Sequence, residues 1–207
     1  KYKTELIKLS FILDYKYSKA FNSEQNATTV EYVKYNYGPY SESFVDAFEQ
    51  LKIPAKIASH SHELEDATKL VIPGVGAFDH VMHALNQSGM RQKLEKKILS
   101  DKIPVLGICV GMQILCEKSS EGIEPGLGWI NAVVEKFMVT TVANLKIPHM
   151  GWNSVEHNGA LLFNDMEQYP QFYFLHSYFV KCNQTQNILA KAHYANDFAC
   201  AVHQDNI

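Results

Sequence analysis

At 207 residues, 46 % of them hydrophobic and 20 % charged, the chain has the length and balance of a single globular core. A net charge of −3 gives no sign of the basic surface that nucleic acid or an anionic membrane would require. Its four cysteines, Cys109, Cys116, Cys182 and Cys200, are scattered. They form neither a zinc-like C-x-x-C pair nor a dense disulfide framework, so a reducing cytoplasm is expected, with no metal.

Residues 1–28 are rich in Lys, Tyr, Asn and Ser and fit no recognisable element. The apolar run Leu6–Leu13 is broken by Lys8 and Ser10 and is far too short to span a membrane. From Thr29 the pattern changes. Residues 30–35 alternate like a strand until Asn36-Tyr37-Gly38-Pro39 breaks it. Ser41 to Leu51 puts Phe44, Val45, Phe48 and Leu51 on one helical face. Residues 53–58 read as a second strand, 63–67 as one helical turn, and 69–72 as a third strand ending in Pro73-Gly74-Val75-Gly76. Helices are predicted over 77–86 and 91–99. After Gly128 the texture is strand-rich, with strands predicted over 132–137, 172–176, 188–192 and 198–202. This order predicts an α/β domain over residues 29–207: one mixed sheet, parallel in its first half and largely antiparallel in its second, with helices on both faces.

The chemistry concentrates at Gly107-Ile108-Cys109-Val110-Gly111. This Gly-x-Cys-x-Gly follows the apolar run 103–106 and precedes a helix-like stretch, 112–117. Such a junction is a nucleophile elbow: the glycines permit the sharp turn that lifts the thiol above the sheet edge. The helix start behind it is expected to favour thiolate. The Pro73–Gly76 loop also follows a strand, where ligands of such sheets bind, and its N–H groups could face a developing oxyanion. Nine histidines could act as the base, and spacing selects none of them.

Longer pieces carry a more specific resemblance. The elbow, continued by Met112 and Gln113, resembles that of class I glutamine amidotransferases. Residues 73–78, Ser120-Glu121-Gly122, Gly126–Gly128, Pro148–Asn153 and Phe172–Tyr178 resemble, in order, the glutaminase subunits of imidazole glycerol phosphate synthases. The likeness covers about residues 30–207. It implies a flavodoxin-like glutaminase domain that hydrolyses glutamine to glutamate and ammonia. The ammonia would pass to a (β/α)8-barrel cyclase subunit, forming a heterodimer that makes imidazole glycerol phosphate in histidine biosynthesis. No cofactor is implied. Cys109 would form a glutamyl thioester, with N–H groups of Val110 and near Val75 as the oxyanion hole. Gly74, Gly76, Gln113, Glu121, His176, Ser177 and Tyr178 would hold the glutamine, and Trp152 and Asn153 would lie on a loop facing the cyclase.

The resemblance is incomplete. The family's Phe-His-Pro-Glu-Lys motif, which holds its catalytic His and Glu, is not present. Residues 201–207 resemble the hairpin that precedes it, so the last strands read as truncated and the strand 198–202 as bordered by a free edge. His203-x-Asp205 imitates His-x-Glu, but Gln204-Asp205-Asn206 reads as a turn, making His203 a decoy. The family's Gly-rich first loop is replaced by Asn36–Ser41. Two other roles share these motifs: a paralogue supplying ammonia to a sugar amidotransferase for surface polysaccharide, and a non-catalytic cyclase-binding subunit.

Overall fold

The computed structural model describes residues 30–33, 54–138, 145–163 and 166–207. The N-terminal segment 1–28, the helix expected over 41–51 and the altered loop 36–41 lie outside them.

Two sheets organise the described residues. Strands β1 (Val30–Val33), β2 (Ala55–Ala58), β3 (Lys69–Gly74) and β4 (Val105–Cys109) form a four-stranded sheet in the order β2-β1-β3-β4. All of its pairings are parallel. That order is the start of a doubly wound fold, in which loops at the carboxyl ends of the strands build the site. β3 is central, and Leu70, Val71 and Ile72 are all buried, as a strand covered on both faces requires.

Helix α1 (Phe78–Gln87) buries Phe78, Val81, Met82 and Leu85, a period-3.6 stripe, against this sheet's core. Helix α2 (Arg91–Glu95) covers part of the predicted 91–99 helix. Its continuation, residues 96–100, widens to a π-type turn closed by the Asp101 N–H donating to the Lys96 carbonyl at 2.9 Å. The turn expected at 63–67 is a 3₁₀ turn at Ser61–Leu64.

The second sheet has six strands: β5 (Ala132–Lys136), β6 (His149–His157), β7 (Gln171–His176), β8 (Tyr178–Cys182), β9 (Ile188–Tyr194) and β10 (Asn196–Val202). Their order is β5-β8-β10-β9-β6-β7, with antiparallel pairings throughout. The parallel and antiparallel halves are thus present as two sheets rather than one. β6 and β8 were not predicted as strands. β7 is an edge strand four places from β8 in the sheet, yet only Ser177 separates them in sequence. The sheet must therefore curl back on itself. Its interior is filled by Phe137, Val155, Phe163, Phe172 and Phe198.

Two expectations about the last residues meet different outcomes. β10 lies between β8 and β9, so residues 198–202 do not border an open edge. Residues 204–207 do form a turn, with Asp205 at φ +54°. That turn docks at the start of β4: Val105 N–H donates to the Asn206 carbonyl, and Asn206 Nδ2 donates to the carbonyls of Ile98 and Ile103. His203 Nε2 pairs with the Gln186 carbonyl at 3.1 Å. Cys109 ends β4 about 13 Å further along the strand, so the turn that follows His203 packs at the opposite end of β4 from Cys109.

Candidate active site

The site grows from close backbone approach. β3 and β4 end together, with Gly74 opposite Cys109 in the register. Cys109 is the hinge between β4 and the short helix α3 (Val110–Gln113). Its backbone sits at φ +57°, ψ −123°, a region that costs a non-glycine residue about 1–3 kcal/mol. Surrounding structure must impose this. A Cβ on Gly111 would stand 1.8 Å from the Ile72 carbonyl oxygen, and one on Gly74 2.4 Å from the Gly111 nitrogen. The elbow is therefore pressed onto β3 at contacts that only glycine permits.

The helix-like stretch 112–117 is shorter than expected because its carbonyls are taken elsewhere. Leu127 N–H donates to Ile114, Gly128 N–H to Cys116, and the Trp129 and Ile130 N–H groups to Leu115. Gly126 allows this segment to lie close, since a Cβ there would meet the Cys116 carbonyl oxygen at 2.0 Å.

The Cys109 side chain is reachable by solvent but surrounded by protein on most sides. Burial pushes its thiol above the ordinary range; the Val110 N–H hydrogen bond opposes this, and the negative charge of Glu121 adds to it. The expected stabilised thiolate is not what the elbow provides. α3 has four residues, too few for a strong dipole, and desolvation outweighs its one N–H.

Glu121 belongs to the turn 119–126, which is fastened to the start of α1. Phe78 N–H donates to Glu121 Oε2 at 2.9 Å. The Ile123 and Glu124 N–H groups each donate to Asp79 at 3.0 Å. These bonds tie the turn to the helix that follows the Pro73–Gly76 loop. Within that loop Gly74 is buried, Val75 half-buried, and Gly76 exposed at φ +108°. Gln113 is 8 % exposed, at the end of α3. Cys109, Val110 and Gly74 therefore lie together, with the charge of Glu121 bearing on the thiol.

His176, Ser177 and Tyr178 lie at the corner between β7 and β8. Ser177 accepts from the Phe137 N–H, and Tyr178 packs against the core of the parallel sheet. His176 is engaged at both ring nitrogens. Nδ1 lies 2.8 Å from the Tyr178 carbonyl, to which it must donate, and Nε2 then accepts from His149 Nδ1 at 2.9 Å. Asn153 Nδ2 stands 3.4 Å from His149 Nε2 and donates to the His193 carbonyl at 2.8 Å. His149 is 4 % exposed and stacks between Tyr194 and Phe174. Burial holds both histidines below their usual range, His149 at about 4. Sequence reasoning missed this pair. Its only signal is the cross-strand pairing His149↔His176, which is visible once the register is known.

Trp152 and Asn153 are not on a loop; both lie in β6 and, being adjacent, face opposite ways. Asn153 points inward to the histidines. Trp152 points outward and is 51 % exposed, edge-on to Tyr173, its partner in β7. Met150, 60 % exposed, and Leu175, 50 % exposed, are cross-strand partners on the same outward face. Among the described residues, no group of three or more His, Cys, Asp or Glu could hold a metal ion. Nor is any described helix long and apolar enough to cross a membrane.

A doubly wound sheet presenting a thiol on a strained strand-to-helix turn defines a class: α/β proteins with a cysteine elbow. The model of the family "Glutamine amidotransferase class-I" matches residues 32–207. The chain belongs to the class-I glutamine amidotransferase family. A protein of Bdellovibrio bacteriovorus named imidazole glycerol phosphate synthase subunit HisH is 46 % identical over 168 residues, 80 % of this chain and 82 % of that protein. The Leptospira interrogans protein of the same name is 44 % identical over 169 residues, with the same coverage. Pseudomonas aeruginosa subunit HisH 2 is 36 % identical, covering 80 % of this chain and 81 % of its own. Among solved structures, a glutamine amidotransferase superposes with a TM-score of 0.60 at 20 % identity, over 78 % of this chain and 79 % of its own, a likeness of fold.

Proposed function

We propose that this chain is the glutaminase subunit of an imidazole glycerol phosphate synthase, acting in the cytoplasm in histidine biosynthesis. The observation that carries the reading is the 46 % identity to a subunit of that name, joined to a family match that contains the elbow. Cys109 Sγ attacks the side-chain carbonyl carbon of glutamine. The oxyanion is met by the Val110 N–H and by an N–H near Val75. Collapse expels ammonia and leaves a thioester at Sγ; water then releases glutamate and restores the thiol. Burial favours the protonated thiol, so its proton leaves in the attacking step and is passed to the departing nitrogen, which goes as ammonia. Gly74, Gly76, Gln113, Glu121, Ser177 and Tyr178 hold the glutamine, together with His176, whose ring would exchange its bond to His149 for one to the substrate. This role adds a substrate contact to the bond Glu121 already makes to Phe78.

The ammonia goes to a (β/α)8-barrel cyclase subunit, with which the chain forms a heterodimer. The outward face of β6 and β7 supports such a partner, since Met150, Trp152, Tyr173 and Leu175 form an apolar patch with an aromatic centre.

The test is rescue of a histidine auxotroph that lacks its glutaminase subunit, alongside ammonia release from glutamine by the purified pair. Rescue that is lost on Cys109→Ala supports the reading. Ammonia release without rescue would point instead to a sugar amidotransferase as acceptor. Cyclase binding without ammonia release would leave only a binding subunit.

A further inference from the structure

Helix α1 begins without a side-chain cap of its own, because Ala77 stands at its N-cap. Its first N–H groups still need acceptors. The turn 119–126 supplies one: the Glu121 carboxylate takes the Phe78 N–H. The helix reciprocates through Asp79, whose carboxylate takes the N–H groups of both Ile123 and Glu124. Gly122 is shaped to this wedge, since a Cβ there would stand 1.9 Å from Asp79 Oδ1. One turn along α1, His83 Nε2 lies 3.4 Å from Glu124 Oε1. Ser119 steadies the other side of the turn by accepting the Glu121 N–H at 3.1 Å. Two carboxylates, one from each segment, thus lock the 119–126 turn to the helix immediately behind the Pro73–Gly76 loop. Glu121 is the member of this clamp whose charge reaches the Cys109 thiol.

We propose that Asp79 is a positioning residue for the thiol site. By holding the backbone of Ile123 and Glu124, it fixes where the Glu121 carboxylate stands relative to Cys109 and to the oxyanion loop. The bonds of the Asp79 carboxylate go to the Ile123 and Glu124 N–H groups, so it acts through Glu121. The backbone hydrogen bonds that hold its carboxyl below the usual range favour the ionised, accepting form. Asparagine is the discriminating replacement. Its single amide oxygen can accept one of the two N–H groups, while its NH₂ would face the other, donor to donor.

The role rests on reading Cys109 as the nucleophile, but its test does not need turnover. Alkylation of Cys109 by iodoacetamide is followed across pH, with peptide mass spectrometry separating it from Cys116, Cys182 and Cys200. Loss of the nearby negative charge in Glu121→Gln should raise Cys109 reactivity at pH 7 by roughly threefold or more. Asp79→Asn should shift the profile in the same direction, and the double variant should shift no further than Glu121→Gln alone. Thermal melting confirms that each variant is folded at the assay temperature. An Asp79→Asn profile superimposable on the wild type, with or without a lower melting temperature, would overturn the proposal, as would full additivity of the two substitutions. Shifted alkylation in a protein that releases no ammonia would overturn the glutaminase reading and leave the clamp standing.

Discussion

Acid should weaken this fold through the buried imidazole pair. His149 is held neutral, its pKa lowered from 6.5 to about 4 by burial and then by the neighbouring His176. In the unfolded chain it takes up a proton near pH 6.5; in the folded chain it does not until about 4. Between these values the unfolded state binds more protons, so stability rises with pH and is lost as pH falls through the window. A displacement of this size corresponds to about 3 kcal/mol, a large fraction of the roughly 5–15 kcal/mol that holds a domain folded. Because His149 and His176 share a hydrogen bond, the first proton belongs to the pair. Urea unfolding at half-unit steps from pH 4 to 7.5 would measure the effect, with His149→Phe as reference. Phenylalanine preserves the stacking between Tyr194 and Phe174 and removes the proton site. Carboxylates and the remaining His176 titrate in both proteins, so the steeper fall of the wild type between pH 6.5 and 4 reports the proton site that His149 adds. Parallel curves for the two proteins would refute the reasoning.

Cys109→Ala should abolish glutamine hydrolysis while the cyclase partner still works with added ammonia; retention of hydrolysis would remove Cys109 as nucleophile. Cys109→Gly should be equally inactive yet melt higher than Cys109→Ala, by about 1–3 kcal/mol in stability, because glycine relieves the backbone strain at φ +57°. Gly111→Ala should destabilise by about 3 kcal/mol or more, or prevent folding, since its Cβ would overlap the Ile72 carbonyl rather than a movable side chain; a melting curve reads it. Trp152→Ala should weaken cyclase binding by about 2 kcal/mol or more with little change in melting temperature, because the ring is exposed in the isolated chain; subunit titration checks both.

The parallel half of the fold was readable because its signals are local. Apolar runs end in Gly and Pro, and the buried stripe of α1 repeats with helical period. β3 still runs two residues beyond its apolar core, through Pro73 and Gly74, because β4 pairs with it to the very end. β6 was hidden for a different reason. Met150, Trp152 and Ser154 point outward while His149 and Asn153 point inward, so the usual apolar–polar alternation is inverted along its first half. A strand whose exposed face is apolar and whose buried face is polar does not read as a strand from composition. Both inversions have physical causes in the structure: hydrogen-bonded histidines satisfy the inside, and the outside is the apolar face a partner would cover.

The site divides along the same line. Cys109 and its glycines are legible because an elbow demands those residue types at that spacing. The state of the thiol was not, because spacing reports the helix start behind the sulfur but not the protein mass around it. Four residues of helix and one N–H cannot offset that desolvation. Asp79 was equally invisible. An acidic residue in the first turn of a helix already has a sufficient local reason, the positive end of the helix dipole. Only the fold shows that its acceptors are spent on Ile123 and Glu124, more than forty residues away. Sequence therefore locates chemistry that one turn of chain must perform. Chemistry divided between β4, the start of α1 and the 119–126 turn becomes visible where their backbones meet. There Glu121 serves two elements at once, capping α1 and setting the charge beside the thiol.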